Sequence, residues 1–275
     1  MGAASPVSWV TVPDGRLPVV EVGAPGAPTL VLVPGLTDGL TPVTDPRSRL
    51  LYAHVPLPLA RTRGLLPSYR ERLRPGTTTR ELAADLAVVL HRRLTSPAVL
   101  VAHSLGGMVA QQLAADHPDL VAALVLSATT ARADDRLRRV LARWDRWLAA
   151  GDQDRFRRDA IRASVTGRAR DDHLALEAAA PSPAASARSV ARHLVLSAAC
   201  AGHDASGRLA AIDAPALVLA GGRDELIDPV AARQLSEALP KGSFRLFDDL
   251  GHGFPEQARG PFQAQVSRFL AQLGW

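Results

Sequence analysis

The stretch LVAHSLGGMVAQ, residues 100–111, places Ser104 between an apolar run typical of a strand and a run with helical spacing. Gly106 and Gly107 follow, and a turn this tight tolerates little side-chain bulk. Such a turn exposes a serine at the carboxyl edge of a sheet. It also sets the amide of Leu105 at a helix amino terminus, where free N–H groups stabilise negative charge. Two interpretations are open: Ser104 is a nucleophile, or it only caps the helix.

A nucleophilic serine needs a base and an acid that orients the base, and the later sequence offers both. Asp224 follows the apolar run ALVLA (216–220), and His252 lies between two glycines after the next strand-like run, SFRLFDD (243–249). Parallel strands bring their carboxyl ends to one edge of a sheet. The order Ser104, Asp224, His252 therefore predicts a catalytic triad at that edge.

The acid has competitors nearby. Asp228, Asp248 and Asp249 lie close to Asp224 in the sequence, and the preceding strand-like run is predicted to end at the same edge of the sheet. That strand-like run, LVLSATT (124–130), ends without a carboxylate. Asp228 directly precedes a proline and is better suited to cap the helix that follows. Asp224 is therefore the preferred acid.

A second histidine, His103, directly precedes the candidate nucleophile. No candidate acid in a neighbouring loop accompanies His103, whereas Asp224 accompanies His252. We expect its side chain to point away from the pocket and to pack or hydrogen-bond structurally.

Strand-like and helix-like segments alternate on both sides of the turn at Ser104, which predicts a mostly parallel sheet with helices on both faces. The chain opens with a hairpin cue, Pro-Asp-Gly at 13–15 between apolar runs. Apolar runs at TLVLVPG (29–35) and LLYAHVPL (50–57) are typical of strands. Residues 58–78 are rich in proline and arginine, and we predict that they are irregular.

From about residue 131 to 210 the alternation stops, and segments with helical spacing replace it. We predict a helical cap at 131–210, inserted into a core formed by 1–130 and 211–275. Trp144 and Trp147 are expected to pack inside this insertion.

Composition narrows the class of partner and compartment. The formal net charge is +5, but the basic residues are dispersed among acids, so nucleic-acid binding is not expected. The single cysteine, Cys200, allows no intrachain disulfide and is expected to be a buried small hydrophobe.

No apolar run has the length of a membrane span and no signal peptide is evident, so we expect a cytoplasmic protein without membrane contact. Metal-ligand and nucleotide-binding motifs are also lacking, so no metal and no cofactor are expected. The sequence gives no indication of oligomeric state.

Three motifs together resemble the α/β-hydrolase superfamily: AHSLGG (102–107) as nucleophile elbow, GGRDELIDP (221–229) as acid loop and GHGFPE (251–256) as histidine loop. The resemblance covers nearly the whole chain, and 131–210 stands where the family carries its variable cap. It implies an α/β-hydrolase fold, in which a central, mostly parallel sheet is flanked by helices.

The same resemblance assigns roles to individual residues. It implies that Ser104, His252 and Asp224 are the catalytic residues, and that the backbone amides of Leu105 and, by position, Leu36 form the oxyanion hole. The sequence departs from the family pattern at two places. Ala102 replaces the first glycine of the elbow, and Pro34 replaces the frequent histidine before Gly35, which removes one polar side chain from that loop.

The expected activity is hydrolysis of an ester-like bond in a small-molecule substrate through an acyl-enzyme. A serine rather than an aspartate nucleophile argues against dehalogenase or epoxide-hydrolase chemistry. Two alternatives stay open. One is an acyltransferase or cyclase that uses the same serine with another acceptor, and the other is a slow-turnover ligand-binding protein.

Overall fold

A computed structural model describes residues 7–24, 26–45 and 62–275 of the chain. Its strands are β1 (Val7–Val12), β2 (Gly15–Gly23), β3 (Thr29–Val33), β4 (Arg63–Pro67), β5 (Ala98–His103), β6 (Val121–Ser127), β7 (Ala216–Gly221) and β8 (Gly242–Phe247). They form one sheet in the order β1-β2-β4-β3-β5-β6-β7-β8. β2 is antiparallel to β1 and to β4, and the remaining neighbours are parallel.

Helices cover both faces of this sheet. They are α1 (Thr79–Arg93), α2 (Leu105–Asp116), α3 (Asp135–Ala149), α4 (Gln153–Ser164), α5 (Gly167–Ala179), α6 (Ala187–Ala201), α7 (Pro229–Ala238), α8 (Phe254–Gln257) and α9 (Arg259–Gln272). Side chains of α1, α2 and α7 belong to one buried apolar cluster, and those of α9 to a second cluster on the other face. In the described part of the chain, no helix combines the length and the apolar character needed to cross a membrane.

The central strands are buried along their whole length because helices lie on both sides. All five residues of β3 and all six of β7 are buried. Both strands consist mainly of valine, leucine and alanine. Strands covered on two faces have continuous apolar sequences, whereas strands with one exposed face alternate apolar and polar residues. The predicted hairpin is confirmed, with Val12 paired to Gly15 across the turn between β1 and β2.

The prediction that residues 58–78 are irregular is wrong, because this segment contains β4. RGLLP carries only two large apolar side chains and ends in proline, so its local strand signal is weak. Pairing decides the outcome: β4 lies between β2 and β3 and hydrogen-bonds to both. The strand predicted at 50–57 lies outside the described residues.

Between β6 and β7 the chain forms α3, α4, α5 and α6, which we call the cap helices. Trp144 is buried as expected, whereas Trp147 is half-buried, and the guanidinium carbons of Arg143 and Arg155 lie 5.7 and 5.1 Å from its ring centroid. Cys200 is buried, as expected. The domain limits at 130/131 and 210/211 stay predictions.

The first turn of α2 lies directly against the end of β3, and Gly106 allows this approach. A Cβ atom on Gly106 would stand 2.3 Å from the carbonyl oxygen of Val33 and 2.8 Å from that of Pro34. Backbone carbonyls cannot move aside as a flexible side chain can. Gly106 therefore sets how closely the turn that carries Ser104 approaches β3.

We expect Gly106→Ala to lower the free energy of unfolding by about 3 kcal/mol or more, although alanine is the better helix former. Gly260→Ala, in α9, is the matched control because a Cβ there meets open space. It should leave stability unchanged or raise it by up to about 1 kcal/mol. Chemical denaturation of both variants measures the difference. Equal stabilities would show that the contact between α2 and β3 is not constrained at Gly106.

Candidate active site

Ser104 lies in a strained turn between β5 and α2. Its backbone adopts φ 55° and ψ −122°, a conformation that side-chain-bearing residues rarely adopt and that is seen mainly where function requires it. The Ser104 amide donates to the carbonyl of Ser127 at 2.9 Å, and the Ser104 carbonyl accepts from Gly107 at 2.9 Å. These bonds fix the turn between the neighbouring strand β6 and the new helix.

Asp224 and His252 form a buried pair beyond the ends of β7 and β8. The Nδ1 atom of His252 lies 2.8 Å from Oδ2 of Asp224. The other carboxylate oxygen accepts from the amides of Leu226 at 2.8 Å and Ile227 at 2.9 Å. An ionised carboxylate only accepts, so Nδ1 carries the hydrogen, and Nε2 of neutral His252 is left as the proton acceptor.

The other candidate acids do not contact His252 in this way. Asp228 accepts from the amide of Val230 at 2.9 Å and caps α7, as expected. Asp248 and Asp249 are exposed, and Asp249 pairs with Arg223 at 2.6 Å. Of the four carboxylates, Asp224 is the one that orients the histidine.

The expectation that His103 points away from the site is wrong. Its ring centroid lies 5.0 Å from that of His252, which sets the two rings in contact beside the elbow. The structural hydrogen bond is present: Nδ1 of His103 lies 3.1 Å from the hydroxyl of Ser127, and this hydroxyl donates to the carbonyl of Ala102 at 3.2 Å. Because the hydroxyl proton is used there, Nδ1 of His103 is the donor. The contact also brings the His252 ring next to the residue that precedes Ser104.

Two helix amino termini meet beside Ser104. α2 begins at Leu105, and a short 3₁₀ turn over Leu36–Gly39 begins at Leu36. A Cβ on Gly35 would lie 3.7 Å from Cβ of Ser104, so this turn begins against the elbow. First-turn amides have no acceptor within their own helix. In the described ranges, neither Leu36 nor Leu105 donates a backbone hydrogen bond.

Tyr69 and Asp38 support this turn, and neither was predicted from the sequence to belong to the site. The Tyr69 hydroxyl donates to the carbonyl of Pro34 at 2.6 Å, which supplies polar bracing where the family often has a histidine. Asp38 is buried and accepts from the hydroxyl of Ser68 and from the amide of Tyr69 at 3.1 Å. The available sequence signal was an aspartate five residues after the end of a central strand, Asp38 after Val33.

Arg192 on cap helix α6 completes this buried network. Its guanidinium donates to the carboxylate and the carbonyl of Asp38, to the carbonyl of Tyr69 at 2.8 Å and to that of Arg70 at 2.9 Å. A buried arginine with so many acceptors fixes geometry, whereas removing one partner leaves an uncompensated charge. Sequence spacing gave no sign of this pair, because 154 residues separate Arg192 from Asp38.

His193, the next residue, packs against the same turn. A Cβ on Gly39 would stand 2.7 Å from Cα of His193, so α6 and the 3₁₀ turn are in close backbone contact. Burial lowers the pKa of His193 to about 4, although the backbone of Leu36 opposes the shift. The ring is therefore neutral at neutral pH, and it adds no charge beside the proposed oxyanion site.

No metal centre is present in the part of the chain that the structure describes, since no group of three or more His, Cys, Asp or Glu side chains there could hold a metal ion. The chemistry available at this edge of the sheet comes from a serine hydroxyl, an imidazole held by a carboxylate, and two free backbone amides.

Comparison with known proteins gives a family, a curated relative and fold neighbours. A family model described as "Serine aminopeptidase, S33" matches residues 77–257, which is more than half of the chain. The chain is also 29% identical over 202 residues to a pimeloyl-[acyl-carrier protein] methyl ester esterase from Chromobacterium violaceum. That match covers 68% of this chain and 73% of the relative.

Solved structures show the same fold at low identity. The enol-lactonase from Burkholderia xenovorans LB400 superposes with a TM-score of 0.79 at 19% identity, over 96% of this chain and 100% of that one. An α/β hydrolase enzyme, MGS-M2, from a Medee basin deep-sea metagenome library gives 0.79 at 16% identity, over 96% and 97% of the two chains. The predicted α/β-hydrolase fold is confirmed.

The pairing of His252 with Asp224 can be tested against a neighbouring carboxylate. We expect Asp224→Asn to lower kcat by about 10³–10⁴-fold, because an amide in this position favours the wrong histidine tautomer. Asp228→Asn is the control, since Asp228 caps α7 and asparagine caps equally well. It should retain the wild-type kcat. Steady-state kinetics on an activated ester measure both. A similar loss in the two variants would contradict the assignment of the acid.

Proposed function

The chain belongs to the family of α/β hydrolases whose model is described as serine aminopeptidase, S33, and on this basis we propose that it hydrolyses an ester bond of a small molecule. In this proposal Ser104 is the nucleophile, His252 the general base and Asp224 the acid that orients the base. The observation that carries it is the buried hydrogen bond between His252 and Asp224, with the His252 ring in contact with His103, the residue before Ser104 in the strained elbow.

The first half of the reaction forms an acyl-enzyme. His252 Nε2 takes the hydroxyl proton of Ser104 as Oγ attacks the substrate carbonyl, and Asp224 stabilises the imidazolium that results. The carbonyl oxygen gains negative charge and accepts from the amides of Leu36 and Leu105. Each such donor lowers the barrier by about 2.7–4 kcal/mol in comparable sites. The tetrahedral intermediate collapses, and His252 donates the proton to the departing alcohol.

The second half of the reaction releases the acid. A water molecule donates its proton to Nε2 of His252 as its oxygen attacks the acyl carbon, and the oxyanion again accepts hydrogen bonds from the same two amides. Collapse of this second intermediate breaks the bond to Ser104 Oγ, which recovers its proton from His252. Both halves use the same three side chains and the same two amides.

The choice of an ester over an amide bond rests on the names of similar proteins. The curated relative is a methyl ester esterase, and one fold neighbour is an enol-lactonase. The family description names a peptidase, and the triad chemistry serves both bonds. An ester carbonyl is less stabilised by resonance than an amide carbonyl, so the same triad attacks esters more readily than amides.

The test is intact-mass analysis after treatment with a small fluorophosphonate, which reacts with activated serines. We expect one adduct per chain on the wild type, none on Ser104→Ala, and labelling slowed by about 10³-fold or more on His252→Ala. A panel of esters, thioesters, lactones and amides then ranks the bond types by kcat/KM.

Two outcomes would contradict the proposal. An adduct that persists in Ser104→Ala would place the reactive group elsewhere. Absence of any adduct on folded wild-type protein, also with a smaller sulfonyl fluoride, would support a binding protein over a hydrolase.

A further inference from the structure

The segment 249–257, which contains the histidine loop and is called the histidine segment below, is bonded directly to the junction between cap helices α4 and α5. The amide of Gly253 donates to the carbonyl of Ser164 at 2.7 Å. The hydroxyl of Thr166 donates to the carbonyl of Asp249 at 2.9 Å. These bonds attach to the residue after His252 and to a residue three positions before it, so the junction holds the histidine segment on both sides of the histidine.

Gln257 adds a paired contact at the end of the histidine segment. Its Oε1 atom accepts from the amide of Thr166 at 3.1 Å, and its Nε2 atom donates to the carbonyl of Thr166 at 2.9 Å. One side-chain amide thus satisfies both polar groups of a single backbone residue. Thr166 precedes α5 and is itself buried, so water does not compete freely for these bonds.

The glycines that flank His252 are explained by the same junction. A Cβ on Gly251 would lie 2.8 Å from the carbonyl oxygen of Ser164 and 3.2 Å from the Cγ2 atom of Thr166, and a Cβ on Gly253 would lie 3.1 Å from that oxygen. Neither glycine has a positive φ, so backbone conformation does not require them. The close approach of the α4–α5 junction requires a glycine at both positions. The histidine segment is therefore shaped to receive the α4–α5 junction.

We propose that Gln257 is a positioning residue that couples the cap helices to the catalytic base. It locks the histidine segment to Thr166, so the position of the α4–α5 junction sets the position of the His252 ring relative to Ser104. This inference rests on the proposed role of His252 as general base. Its consequence is that a substrate seated under the cap helices reaches a base that is already aligned, and that loosening the junction slows catalysis at Ser104.

A purely structural role for Gln257 makes a different prediction. If Gln257 only held α5 in place as a wall of the substrate pocket, its loss would weaken binding of bulky substrates and raise KM. A small fluorophosphonate, whose reaction with Ser104 needs the base but little of the pocket, would then label the variant at the wild-type rate. The labelling rate therefore separates the two roles.

The experiment compares Gln257→Ala with Gln272→Ala, a control at the exposed end of α9. We expect Gln257→Ala to lower the second-order rate constant of Ser104 labelling by about 10-fold or more, since displacements near 1 Å cost up to about 100-fold. Its kcat on a bulky ester should fall by a similar factor, with a smaller change in KM. Gln272→Ala should match the wild type in every quantity.

A second pair of variants keeps the test decisive if Gln257→Ala is unstable. Thr166→Val keeps the side-chain shape and removes the hydrogen bond to Asp249, whereas Thr166→Ser retains it. We expect labelling to slow in the valine variant and to recover in the serine variant. Thermal unfolding and the final extent of labelling, one adduct per chain, establish that each variant is folded.

Wild-type labelling rates in both Gln257→Ala and Thr166→Val would overturn the inference while leaving the proposed function intact. A raised KM with unchanged kcat and unchanged labelling would also overturn it, in favour of a pocket wall. A wild type that is never labelled at Ser104 would instead refute the proposed function itself.

Discussion

Parallel pairing of β3, β5, β6, β7 and β8 is the constraint on which the rest of this structure depends. Every crossover returns the chain to the same edge, so the residues that follow these strands collect there from distant parts of the sequence. Ser104 follows β5, Asp224 follows β7 and His252 follows β8. Full burial of the central strands fixes their register, because a slip by one residue would exchange the faces of every side chain. The site inherits its geometry from that register.

The cap helices contribute more than a cover over this edge. Through Arg192, α6 is tied to the turn that begins at Leu36, and the junction between α4 and α5 is tied to the loop of His252. The first attachment holds the turn of a proposed oxyanion donor, and the second holds the loop of the proposed base. A buried or partly buried, hydrogen-bonded connection of this kind restricts how the cap helices move without disturbing the site. The arrangement favours a preorganised site over one assembled by large cap motions.

The sequence predicted what local patterns encode. Strands ending in glycine-rich turns mark the elbow and the histidine loop, and parallel topology predicts that the residues after these strands meet at one edge of the sheet. Prediction from the sequence failed where pairing between distant segments determines the structure. β4 carries a weak local signal and exists because β2 and β3 bind it on both sides. Contacts such as Arg192 with Asp38, or Gln257 with Thr166, join residues more than 90 positions apart. Spacing does not encode such pairs. The contact of His103 with His252 depends on side-chain orientation, which no pattern in AHSLGG fixes.

The proposed mechanism requires that hydrolysis proceeds through an acyl group on Ser104. The most direct measurement is product partitioning with an added nucleophile such as hydroxylamine. Two esters with the same acyl group and different leaving groups are compared, and free acid and hydroxamate are quantified. A shared acyl-enzyme predicts the same ratio of the two products from both esters. A ratio that changes with the leaving group would contradict the intermediate, because water and hydroxylamine would then be attacking the substrates themselves.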